Sequence, residues 1–110
     1  MPTASEVYKE AEILKDAGKY PEAIAKMQEV LAIDEGHVLS HLALGILYGK
    51  VGEHENAVKH AQRAVELEPH DSYNFTMLSV VYQRAWQATQ DYKYIQLAEE
   101  AKAKGGGPPH

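Results

Sequence analysis

The chain repeats a pattern of residues with a period of 34, and this period constrains the fold more than any other feature. Val7 recurs as His41 and Phe75, and Gly18 recurs as Gly52. The remaining repeat-related sets are Leu14 with Tyr48 and Tyr82, Ala23 with Ala57, Ile24 with Val58, and Leu31 with Val65. A fixed period of this length is typical of stacked supersecondary units, each of which covers the apolar face of its neighbour. We therefore expect a repeat fold with an extended interaction surface.

The second unit explains why the repeated residues suit a pair of helices. Leu44 and Tyr48 are four residues apart and lie on one face of a helix. Gly45 and Ala57 have almost no side chain, so two helices can approach closely at these positions. Gly52 suits the left-handed conformation in which many helices end. The unit is therefore predicted to be two short helices packed against each other.

This unit contains the motif His41-x2-Leu44-Gly45-x2-Tyr48, followed by Gly52, Ala57-x3-Ala61, Ala64 and Pro69. The motif resembles the tetratricopeptide repeat (TPR). The first unit matches less fully, because Glu10 stands where the family has Leu and Glu35 where it has Pro. A polar residue such as Glu10 suits a terminal repeat whose outer face meets water. The third unit departs after Tyr82, with Trp86 at the position of the repeated glycine.

The resemblance implies an all-α fold, namely a right-handed α-solenoid of antiparallel helix pairs with about three repeats and six helices. We predict a TPR domain over residues 1–104 and a flexible tail over 105–110. The repeats are expected at about 4–37, 38–71 and 72–104, the last being degenerate and capping. Thr3 and Glu6 form a capping box before the first helix. The fifth helix is expected to be extended, and the sixth to begin near Asp91.

Composition excludes several classes of function. The chain has no cysteine, which excludes disulfides, thiol catalysis and thiolate metal sites. The net charge is −5 and no run of Lys or Arg occurs, so nucleic-acid binding is not expected. We expect no membrane association and a cytoplasmic location, because neither a spanning segment nor a secretory signal is visible. The acidic excess of residues 1–37 fits either solvated helix faces or a field that attracts a basic ligand.

The resemblance also implies where a ligand binds, because the first helix of each TPR unit lines the concave surface. The residues predicted to form this peptide-binding groove are Leu39, Leu42, Ile46, Tyr73, Met77 and Val80. The third helix is apolar nearly all round, and such a helix is normally buried on every side. A partner peptide, a second copy or the C-terminal segment is therefore expected to cover the groove. Alternatively, curvature of the stack already buries part of this set as core.

Weaker signals have two interpretations each. Trp86 either plugs the end of the stack or anchors a ligand at the groove rim. His37 and His41, which are four apart near Asp34, have the spacing of metal ligands, but His41 occupies a packing position of the repeat. We therefore predict no metal site, no cofactor and no catalytic residue.

The predicted function is a noncatalytic protein-interaction module or scaffold that binds an apolar or amphipathic peptide. The alternative is a structural protein that self-associates through its groove or its ends. Some TPR proteins grip the C-terminal carboxylate of chaperones with Lys, Asn and Arg. The corresponding residues here are Tyr8, Glu12, Ala43, Tyr73 and Met77, so a chaperone tail of that type is not an expected partner.

Overall fold

The computed structural model describes residues 1–106, which form six α-helices and no strand. The helices are α1 (Ala4–Asp16), α2 (Tyr20–Ile33), α3 (Val38–Lys50), α4 (His54–Leu67), α5 (Ser72–Thr89) and α6 (Lys93–Lys104). The prediction of an all-α fold with six helices is confirmed. Of the tail predicted over residues 105–110, residues 107–110 lie outside the described part. Gly105 is partly buried, and its carbonyl accepts a hydrogen bond from the Thr76 hydroxyl at 3.2 Å.

Short polar and glycine signals set the helix ends. The Thr3 hydroxyl accepts from the Glu6 backbone N–H, and the Glu6 carboxylate accepts from the Thr3 backbone N–H, which completes the capping box. Gly52 has φ +83°, a conformation that costs little only for glycine. Asp91 lies before α6, where its carboxylate accepts from the Lys93 N–H. The sixth helix therefore begins slightly later than the sequence indicates.

The six helices pack as three successive pairs. Helix α1 packs on α2, α3 on α4 and α5 on α6, and the pairs join through α2 with α3 and α4 with α5. This arrangement is elongated, with extents of 47 × 29 × 20 Å. The apolar core consists of two clusters, and Tyr48 packs against both. Its members in the first half include Ala11, Met27, Leu44 and Leu47, and those in the second half include Ala61, Leu78, Val81, Tyr82 and Ala98.

A histidine pair occupies the packing layer between α3 and α4. His41 is 4% exposed, and its Nε2 lies 2.8 Å from the Glu35 carbonyl oxygen, which can only accept. The His41 Nε2–H therefore donates to this oxygen, and the His41 Nδ1 lies 3.0 Å from the Nδ1 of His60. The His60 ring also stacks on Tyr48. The sequence shows no partner for His60, whereas the structure gives it two.

Candidate peptide-binding groove

The six predicted groove residues differ widely in exposure. Leu39 and Tyr73 are 55% and 58% exposed, so both are open to a partner. Ile46, Met77 and Val80 are partly buried. Leu42 is 7% exposed and belongs to the interior of the chain. A ligand in the groove therefore has access to five of the six side chains, and Leu42 is not among them.

The central position of α3 explains the burial of Leu42. This helix packs against α2, α4 and α5, so most of its circumference is covered by the chain itself. The apolar side chains of α3 are thus covered largely by other helices of the same chain. The expectation that an external partner covers the whole of this face is wrong for Leu42. Packing within the chain covers that residue, while Leu39 in the first turn of α3 stays exposed.

An open cleft of about 550 Å³ lies between α1 and the beginning of α3. Helix α3 packs directly on α5, whereas no comparable packing joins α1 and α3 among residues 1–106. We call this space the α1–α3 cleft. Its lining residues are Ser5, Tyr8, Lys9, Glu12, Ile13, His37 and Leu39. The walls combine exposed apolar side chains with a polar edge.

Ile13 is the cleft residue that the sequence prediction missed. It is 69% exposed, although its repeat equivalents Leu47 and Val81 are buried in the core. Each of those two residues packs in a cluster that contains residues of the preceding unit. Ile13 has no preceding unit to pack on among the described residues. The 34-residue period contained this signal, because it places Ile13 at a core position of the terminal repeat.

A short polar chain fixes one wall of the α1–α3 cleft. The Tyr8 hydroxyl donates to the Glu12 carboxylate at 2.8 Å, and Lys15 pairs with the same carboxylate at 2.9 Å. Burial raises the pKa of Tyr8, and so does the nearby Glu12 charge. Partial burial acts to raise the pKa of Glu12, but hydrogen bonds from Lys15 and Tyr8 outweigh it and lower that pKa. Glu12 therefore carries a negative charge at neutral pH.

Neither His37 nor His41 is arranged as a metal ligand. The His37 Nδ1 accepts from the Ser40 N–H at 3.3 Å and caps α3, while its ring lies 5.1 Å from the Tyr8 ring. His41 is directed towards Glu35 and His60. Within residues 1–106 no three ligand-type side chains are grouped to hold a metal ion. The two histidines thus have separate packing contacts.

Trp86 lies at the far end of the stack from the α1–α3 cleft. It is partly buried against the α4–α6 core, and its ring centroid lies 5.2 Å from that of Tyr92 in the turn between α5 and α6. These contacts favour the interpretation that Trp86 closes the end of the stack. Its partial exposure still leaves an aromatic edge near the rim. No helix in the described part of the chain is long and apolar enough to cross a bilayer.

Comparison with known proteins supports the architecture. No protein-family model matches the sequence. The chain is 28% identical over 75 residues to anaphase-promoting complex subunit 3 of Schizosaccharomyces pombe, a match that covers 68% of this chain and 11% of that protein. The chain therefore spans only a small part of that curated relative.

Solved structures match nearly the whole chain. The MamA structure superposes with a TM-score of 0.72 at 20% identity, covering 93% of this chain and 60% of MamA. The second TPR of Spaghetti (RPAP3), solved with HSP90 peptide SRMEEVD, gives a TM-score of 0.70 at 18% identity and covers 90% and 92% of the two chains. The chain is thus a helical-repeat protein with the tetratricopeptide-repeat fold that its 34-residue pattern predicts.

Proposed function

We propose that this chain is a noncatalytic protein-interaction module that binds an apolar or amphipathic peptide segment along its inner helices. The observation that supports this most is the α1–α3 cleft, where Ile13 and Leu39 stay exposed beside an open volume. Exposed apolar side chains grouped in a cleft are a feature of many peptide- and ligand-binding grooves. The Spaghetti domain has the same fold and was solved with a peptide. In this proposal the module acts in the cytoplasm and binds neither nucleic acid nor membrane.

The exposed apolar area limits the strength of such a complex. Covering the exposed parts of Ile13, Leu39 and Tyr73 contributes roughly 3 to 5 kcal/mol, because full burial of such a side chain is worth about 1.5–3 kcal/mol. Association itself costs about 4 to 15 kcal/mol. The partly buried Ile46, Met77 and Val80 and the polar edge must therefore contribute too. We expect a dissociation constant in the micromolar range or weaker.

The proposed ligand is not a chaperone tail held by a carboxylate grip. Glu12 occupies one of the grip positions, and its charge is already engaged by Tyr8 and Lys15. Tyr8 and Tyr73 occupy two others and carry no positive charge. A terminal carboxylate at this place would meet the Glu12 carboxylate. We therefore propose that peptides of the SRMEEVD type bind no better than a scrambled control.

A selection from a displayed library of random 12-residue peptides tests the proposal. The wild-type chain should enrich peptides with two or more large apolar residues, and Leu39→Glu or Tyr73→Glu should weaken binding of the enriched peptides at least tenfold, because each buries a charge in the contact. Ile33→Glu is the matched control, since Ile33 is 51% exposed at the end of α2. Equal losses in Ile33→Glu, or no enrichment at all, would contradict the proposed groove. Leu42→Glu is unsuitable, because it places a charge in the interior.

Self-association is the second candidate, because the same exposed side chains could meet a second copy. Light scattering over a wide concentration range distinguishes the two. A constant monomer mass favours an open groove. A dimer that Leu39→Glu converts to a monomer, while Ile33→Glu does not, assigns the groove to self-association.

A further inference from the structure

A second and smaller cleft, of about 290 Å³, lies near the far ends of α3 and α5 and is lined by Gly49, Lys50 and Arg84. Lys50 and Arg84 are repeat equivalents, 34 residues apart. They therefore occupy the same position on two successive inner helices that pack directly on each other. A side chain at Gly49 would meet no atom within 4 Å, so the cleft is open at this position. We call this space the Lys50–Arg84 cleft.

The charges around this cleft are unbalanced. Neither α3 nor α5 contains an acidic residue, and Lys50 and Arg84 are their only Lys or Arg side chains. Among the described residues, neither forms an ion pair with a carboxylate. The Lys50 ammonium lies 5.7 Å from the centroid of the Tyr20 ring in the first turn of α2. Helices α3 and α5 therefore carry these two cations and no acid, on a chain whose net charge is −5.

Several acids of the first half are already paired within the chain. Glu12 pairs with Lys15 at 2.9 Å, and Glu10 pairs with Lys26 at 3.3 Å. Glu35 accepts two hydrogen bonds from Arg63, at 2.7 and 2.8 Å. These pairs weaken the field that the acidic excess of residues 1–37 would direct at a basic ligand. The unpaired cations at Lys50 and Arg84 favour an acidic ligand group instead.

We propose that the peptide bound by this module carries a carboxylate that docks between Lys50 and Arg84. The inference rests on the proposed function and adds the chemistry of the partner: an apolar anchor for the α1–α3 cleft and an acidic group for the Lys50–Arg84 cleft. Guanidinium and ammonium groups form charge-assisted hydrogen bonds to carboxylates, which are stronger than neutral ones. The positions that hold the carboxylate differ from the grip positions that Tyr8, Glu12 and Tyr73 occupy.

The separation of the two clefts gives the spacing in the ligand. Leu39 and Lys50 are eleven positions apart on α3, which corresponds to roughly 16 Å along the helix axis at 1.5 Å per residue. An extended peptide covers that distance in about five residues, since each spans about 3.3 Å. The ligand should therefore have its acidic residue about five positions from its apolar anchor. In all bound peptides this residue should lie in the same direction along the sequence, either before the anchor or after it.

The same library selection tests this inference through a charge swap. Wild-type protein should enrich an acidic residue at the stated spacing, and the double variant Lys50→Glu/Arg84→Glu should enrich Lys or Arg there instead. Replacing the peptide's acid by its amide should weaken binding to wild type about tenfold and strengthen binding to the double variant, where it removes a repulsion between carboxylates. The matched control is Lys59→Glu/Lys102→Glu, which makes the same charge change at exposed positions on α4 and α6.

The outcomes separate the inference from the proposed function. Enrichment of apolar residues without an acidic preference overturns the docked carboxylate and leaves the groove standing. An acidic preference that survives unchanged in Lys50→Glu/Arg84→Glu also overturns it. Failure to enrich any peptide would contradict both the docked carboxylate and the proposed groove. Circular dichroism of each variant establishes that the helices persist.

Discussion

At the scale of single residues, side chains that depart from the repeat pattern form ion pairs and hydrogen bonds with other helices. Glu10, where the family has Leu, pairs with Lys26 across α1 and α2. Glu35, where the family has Pro, binds Arg63 and contacts the buried His41. The hydrogen bonds from Arg63 lower the pKa of Glu35 to about 2. The sequence identified these positions as exceptions, but their partners come from other helices and are not visible in the local pattern.

The two motif glycines of the second unit should respond oppositely to alanine. A methyl group at Gly45 would lie 3.5 Å from Ala57, Ala61 and Val81, which is ordinary contact, so Gly45→Ala should stabilise by about 0.5–1 kcal/mol through helix propensity. Gly52→Ala should destabilise by about 1 kcal/mol, because φ is +83° there. Urea unfolding measures both. Strong destabilisation by Gly45→Ala would show that close packing leaves no room for a methyl group.

The histidine pair should make stability depend on pH. Burial, together with His41 and Lys59, lowers the pKa of His60 to about 4, below its ordinary value of about 6.5. The unfolded chain therefore binds the proton more readily than the folded chain. The contribution of His60 to the free energy of unfolding is thus complete above pH 6.5 and declines as pH falls towards 4. Between pH 7 and 5 we expect a loss of about 1 kcal/mol, a value reduced for the solvent that reaches this side chain.

His60→Asn is the control for this pH dependence. Its amide keeps an N–H donor for the His41 Nδ1 and does not titrate. Urea unfolding at pH 7 and pH 5 should show a smaller difference in the variant than in wild type. This range lies above the pH at which Glu35 begins to gain a proton. Equal pH dependence in both proteins would mean that His60 does not control it.

At the scale of helices, the sequence predicted most boundaries because the signals are local. The Thr3–Glu6 box, Gly18, Gly52 and Asp71 all lie within a few residues of the ends that they define. The predicted capping box at Thr3 and Glu6 lies at the observed start of α1. Exposure of the inner helices was harder to predict, because it depends on which helices cover each face. Leu42, which was predicted to line the groove, is buried, whereas Ile13, at a core position of the repeat, is exposed.

Asn74 links two helices and should be sensitive to substitution. Its side chain is 1% exposed, and its amide donates to the carbonyls of Ala64 and Glu68 at 3.5 and 3.4 Å, at the end of α4. Asn74→Ala should cost about 1–2 kcal/mol of unfolding free energy. Asn74→Asp should cost more, about 3 kcal/mol, because it turns a buried carboxylate towards carbonyl oxygens. Chemical denaturation gives both values, and a smaller loss for Asp than for Ala would contradict the assigned contact.

At the scale of the whole molecule, uneven packing of the inner helices provides the candidate site. Helices α3 and α5 pack directly, while α1 stands apart and leaves a cleft of about 550 Å³. The resemblance to the tetratricopeptide repeat predicts which helices are inner, and five of the six residues predicted for the groove are at least partly exposed. It does not predict the opening between α1 and α3, because that opening depends on how whole helices pack on each other. The rings of Tyr8 and His37, which both line the cleft, lie 5.1 Å apart.

The most direct test of the central claim is nuclear magnetic resonance mapping of a bound peptide on the ¹⁵N-labelled chain. The probe is the 12-residue peptide that the wild-type selection enriches most strongly. Binding along the inner helices should concentrate amide shift changes on α1, α3 and α5, around Leu39, Tyr73 and Lys50, with little change on α2, α4 and α6. Shift changes confined to the outer helices would contradict the assignment of the inner helices as the binding surface.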